Sequence, residues 1–143
     1  MANNSGKRRS RVADMGVKPD VRVYTPPAVP PAEETTFPVA MTLDDRLVVR
    51  LRIYRKKIVD FAVMQETLVA GEWEQLARID CCRGTVHRHL SAHDGKILLD
   101  HDLIRDIPYG DRSWEVVDDS YEGALQEMQD RWSDNLRRWR SGT

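Results

Sequence analysis

Leu47, Val49, Leu51 and Ile53 alternate with Arg46, Val48, Arg50, Arg52 and Tyr54. A period of two commits this stretch to a strand with one buried face and one wet face. A basic turn follows at Arg55-Lys56-Lys57, and then Val59, Phe61 and Val63 alternate with Asp60, Ala62 and Met64. Joining the apolar faces across that turn pairs Ile53 with Val59 and Leu51 with Phe61, and sets Arg52 opposite Asp60. This hairpin needs a cover for its apolar side, and the rest of the chain has to supply one.

Gly71 interrupts the pattern, after which Glu74 to Asp80 reads as a third strand and Thr85 to Ser91 as a fourth. The break between them is Cys81-Cys82-Arg83-Gly84. His93-Asp94-Gly95 carries an Asp-Gly turn signal, and Lys96 to Asp102 reads as a fifth strand. Beyond Pro108 and Gly110 the period changes to three and four: Tyr121, Leu125, Met128, Trp132, Leu136 and Trp139 form one apolar stripe. Asp119 or Ser120 is the expected cap of this helix, which runs to about Arg140. Arg137, Arg138 and Arg140 in its last turn complement the helix dipole. The expected fold is α+β, an antiparallel β-meander of about five strands with a C-terminal helix packed on one face.

That domain is expected to span residues 36–143. Six of the seven prolines lie before residue 39, and residues 1–35 read as a disordered, proline-rich tail with too few large apolar groups to offset its ordering entropy. Its basic cluster Lys7, Arg8, Arg9 and Arg11 suits contact with RNA or a partner, or simple solubility.

Chemistry concentrates in the third and fourth strands. Ala77 and Ile79 alternate with Arg78 and Asp80, and Val86 and Leu90 with His87 and His89. Joining the apolar faces pairs Ile79 with Val86, Arg78 with His87 and Asp80 with Thr85, and sends both histidines to the side away from the helix. Arg88 is then left on the helix side, where it has to reach the edge or pair with an acid of the helix. Arg78, Asp80, His87 and His89 are the candidate catalytic residues. Histidine exchanges protons near neutral pH, arginine holds phosphate with paired hydrogen bonds, and aspartate fixes a histidine tautomer. Arg50, Arg52, Tyr54, Lys56 and Lys57 are the candidate substrate-binding residues, a basic strip with one ring on which a base can stack. Together these parts suffice for RNA cleavage without a metal.

Other chemistries fit less well. With 22 Lys+Arg against 23 Asp+Glu, the net charge of −1 gives no bulk attraction to nucleic acid. No apolar run approaches the roughly 18 residues that span a bilayer, and no hydrophobic stretch follows the early basic residues, so a cytoplasmic chain without a secretory signal is expected. Cys81 and Cys82 are adjacent, which strains a disulfide between them and favours two free thiols. Cys81, Cys82, His87 and His89 are all capable zinc ligands, but their spacing matches none of the paired-cysteine patterns. No metal or cofactor is therefore expected.

The order Arg78-x-Asp80, Gly84-x-x-His87-Arg88-His89, then a C-terminal helix, resembles the small TumE-type toxins of prokaryotic toxin–antitoxin systems. The likeness covers residues 45 to 140 in outline, and its specific part runs from Arg78 to His89. Cys81 stands where that family commonly has asparagine, and the proline-rich tail is additional. The resemblance implies an endoribonuclease toxin partnered by a small antitoxin protein. Two readings from other classes stand beside it: a non-enzymatic accessory or partner-binding protein of a phage or mobile element, and a zinc-binding domain.

Overall fold

The computed structural model describes residues 22–143. Six strands follow one another in the sheet in chain order: β1 (Glu33–Ala40), β2 (Asp45–Tyr54), β3 (Lys57–Val69), β4 (Glu72–Cys82), β5 (Thr85–Ser91) and β6 (Ile97–Asp106). Among the described residues, one long helix, α1 (Ser113–Ser141), lies across one face. The fold is the expected α+β meander with one more edge strand. β1 crosses the expected 35/36 boundary, and ahead of it Tyr24 and Ala32 are buried against the domain. The basic cluster at residues 7–11 lies outside the described residues.

Three of the hairpins close through two-residue loops: Arg55-Lys56, Ala70-Gly71 and Arg83-Gly84, all with φ between +50° and +83°. Left-handed conformation at both loop positions matches the twist of paired strands, which is why such short loops work. Gly84 is needed for a second reason. A Cβ there would come within 2.9 Å of Val23 Cγ1.

These loops correct two registers. Leu51 faces Phe61 and Arg52 faces Asp60 as expected, but a bulge between Arg52 and Ile53 pairs Ile53 with Ile58 instead of Val59. In the β4–β5 hairpin the turn holds two residues instead of four, so β4 runs on to Cys82. Asp80 consequently pairs with His87, Arg78 with His89, Ile79 with Arg88 and Cys81 with Val86. The shift is two residues, so every side chain keeps its face.

Leu47, Val49, Leu51, Phe61, Val63, Ala77, Ile79, Val86 and Leu90 present the buried face to Val116, Val117, Ala124, Met128, Leu136 and Trp139 of α1. Tyr121, Leu125 and Trp132 pack against the same core, so the whole expected stripe is core. The helix begins at Ser113, earlier than the expected Asp119 or Ser120, because Val116 and Val117 extend the apolar stripe by about one turn. Polar contacts fix its position on β3. Asp118 Oδ1 accepts from the Ile58 amide at 2.9 Å, and Gln65 donates to the Trp132 carbonyl at 2.8 Å while accepting from Asn135 at 3.1 Å. Arg88, on the helix side, is ion-paired with Glu127 of α1 and with Asp102 of β6 at 2.8 Å.

Candidate active site

The face away from the helix carries a transverse row, Arg50–Ala62–Asp80–His87, one residue from each of β2 to β5. Beside it runs a second row, Met64–Arg78–His89. Strand pairing alone therefore brings together the four candidate catalytic residues. Arg78 Nε lies 2.8 Å from Asp80 Oδ2. Asp80 Oδ1 lies 2.9 Å from His87 Nε2 and 3.8 Å from His89 Nε2. Thr85 Oγ1 lies 2.9 Å from His87 Nδ1.

A third histidine, His101, belongs to this group and was missed in the sequence. Its ring centroid is 4.7 Å from those of both His87 and His89, which are 4.8 Å from each other. Arg88 pairs with Asp102 and Leu90 with Leu99, so Asp100 and His101 together oppose the single residue His89. This bulge reverses the side-chain parity of β6 and re-aims His101. In the sequence, Leu99, His101 and Leu103 read as one alternating face. A signal was present only in the clustering of all four histidines between residues 87 and 101.

The three rings differ in access. His87 is 1% exposed, His89 is half-buried and His101 is exposed. Burial holds His87 below the usual histidine pKa, helped by His89, His101 and Arg78 and opposed by Asp80. Burial and then Arg78 hold His89 down as well, again against Asp80. Desolvation disfavours the charged imidazolium, so both rings are neutral at neutral pH.

The expected substrate strip is differently placed. Arg50 is ion-paired with Asp60 at 3.1 Å and Glu34 at 3.5 Å. Arg52 lies 3.6 Å from Glu34 and donates to the Pro27 carbonyl at 3.0 Å. Tyr54 leaves this face after the bulge at Arg52 and packs edge-on against Trp114, with centroids 5.4 Å apart. Lys56 lies in the β2–β3 turn and Lys57 begins β3, and no described contact joins them to the histidines. Among the described basic residues, Arg78 touches the cluster, through Asp80.

The cysteines stand apart. Burial pushes the Cys81 thiol up to about 12, with Asp60 next in effect, so it stays protonated at neutral pH and does not suit a nucleophile. Cys82 is exposed. Among the described residues, the set able to hold a metal is His87, His89 and His101, with no cysteine in it.

The profile of one protein family, described as Domain of unknown function (DUF7718), matches residues 32–142. The chain belongs to that family. No curated protein matches it, and no solved structure does. The DUF7718 match takes in the whole sheet, the helix and every residue of the cluster.

Proposed function

We propose that this DUF7718 domain cleaves RNA as the toxin of a prokaryotic toxin–antitoxin pair, acting in the cytoplasm at the Arg78–Asp80–histidine cluster. The observation that supports this reading is the convergence of Arg78, Asp80, His87 and His89 on one sheet face, each within 4 Å of Asp80. His89, neutral and half-buried, takes the proton of a ribose 2′-hydroxyl. The 2′-oxygen then attacks phosphorus and the P–O5′ bond breaks, giving a 2′,3′-cyclic phosphate. The departing 5′-oxygen takes its proton from water. Arg78 balances charge on the phosphoryl oxygens, and Asp80 orients the rings. A neutral His87 with 1% exposure does not suit the role of general acid.

A small antitoxin fits the free edge of β6, where Ile97, Leu103 and Ile104 are exposed next to His101. An added strand there would cover the cluster. No described helix is long and apolar enough to cross a membrane.

The test is purified protein with total RNA. Cleavage should fall at least about 100-fold in His89→Ala and in Asp80→Asn, the range for losing a positioned proton acceptor. Expression should arrest bacterial growth, with rescue by the adjacent small gene. Intact RNA with the wild-type protein would remove the reading.

A further inference from the structure

We propose that His87, His89 and His101 bind a divalent transition-metal ion of the zinc type, with the Asp80 carboxylate as the adjoining oxygen donor. Three observations meet at this point. One nitrogen from each ring lies within 4.8 Å of the other two. A point equidistant from three atoms so spaced is about 2.8 Å from each, against about 2.0–2.1 Å for zinc–nitrogen bonds. Small side-chain rotations therefore bring the rings into coordination, by about 0.7 Å each at most.

Second, the partners of the rings have the pattern of a ligand set. Nδ1 of His87 is held by Thr85 Oγ1 at 2.9 Å. Nδ1 of His101 and of His89 face Asp100 Oδ1 at 2.8 and 3.4 Å. Ligating histidines characteristically use the other ring nitrogen for such an outer contact, which fixes tautomer and orientation. This leaves Nε2 of His89 and of His101 for an ion, with His87 Nε2 beside them, 2.9 Å from the same Asp80 Oδ1. His89 Nε2 and Asp80 Oδ1 are both buried atoms without a hydrogen bond of good geometry, and they approach each other at 3.8 Å. Buried polar atoms are otherwise almost always satisfied, and a shared cation satisfies both together.

Third, the backbone is shaped for this. His101 has φ +52° within the bulge, a left-handed conformation uncommon for a residue with a Cβ. Glycine would hold the bulge at lower cost, so the histidine is there for its side chain. Three imidazoles with a carboxylate suit zinc, and cobalt, nickel or copper by the same donor preference.

For what the ion does, the inference rests on the RNA-cleavage reading: a bound divalent ion would supply Lewis-acid stabilisation of a phosphoryl oxygen, and His89 as its ligand would give up the proton-acceptor role it has in the metal-free protein. Binding itself is measured without RNA. Tag-free protein, stripped with chelator, is titrated with zinc by calorimetry and with cobalt by visible absorption. The expected result is one ion per chain, at least 100-fold weaker in His89→Ala and His101→Ala, and 10- to 100-fold weaker in Asp80→Asn, the range for an outer or auxiliary ligand. Unchanged far-ultraviolet circular dichroism shows that each variant is folded, and His101→Gln gives a second variant with similar bulk. Binding without RNA cleavage would uphold the site and remove only the nuclease reading. Absence of binding by folded wild-type protein would overturn the site, as would variants that bind like wild type. So would loss of binding only in Cys82→Ser.

Discussion

Cys81 and Cys82 show how much a single peptide step decides. One thiol is held in its protonated form by burial, while its neighbour lies exposed on the other side of the strand. Thiolate is the reactive species. Iodoacetamide at pH 8 should therefore add once per native chain, at Cys82, and twice after denaturation, as read by intact mass and peptide mapping. Two additions at equal rates in the native protein would contradict the placement of Cys81. At this scale the sequence was informative about residue type and about faces. The alternation Arg78–Ile79–Asp80 and Val86–His87–Arg88–His89 assigned each side chain to its side, and Arg88 found its acid on the helix as argued from that parity. Partners were less legible. The acids that occupy Arg50 and Arg52 come from β1 and β3, and β1 lay partly in the assumed tail.

At the scale of elements, bulges set what could be read. A regular strand announces its faces through period two, whereas a bulge changes parity without changing composition. The bulge at Arg52 removed Tyr54 from the histidine face, and the bulge at Asp100–His101 added His101 to it. Both events are silent in an alternation pattern. The second has a measurable consequence for stability. His101→Gly should leave metal-free protein as stable as wild type or more so, by up to about 1 kcal/mol, since glycine adopts this backbone without strain. His101→Ala should be less stable than His101→Gly by about 1 kcal/mol. Thermal or urea unfolding of the two variants checks the order, and alanine above glycine would show that His101 is not held in the left-handed region.

For the whole molecule, the apolar side of the sheet is closed by α1 at its centre and by the chain ahead of β1 at one end. Tyr24 joins the core cluster, and its hydroxyl donates to the Val59 carbonyl at 2.5 Å. Tyr24→Phe should cost about 1 kcal/mol through the lost hydrogen bond. Tyr24→Ala should cost about 3 kcal/mol or more through the cavity as well, a large part of the 5–15 kcal/mol typical of a domain. Urea unfolding measures both, and a near-neutral Tyr24→Ala would show that the segment is dispensable. The meander and helix were legible because each strand pairs with its sequence neighbour, so local pattern and tertiary arrangement coincide.

The two-residue turn at Arg83-Gly84 also constrains how the family can drift. Inserting or deleting one residue there would rotate Thr85, His87 and His89 beneath the helix and bring Val86 and Leu90 into solvent. Length changes are tolerable instead in the longer connections at residues 41–44, 92–96 and 107–112, which do not set the phase of β5. Two backbone positions thus act as a reading frame for the histidine pair.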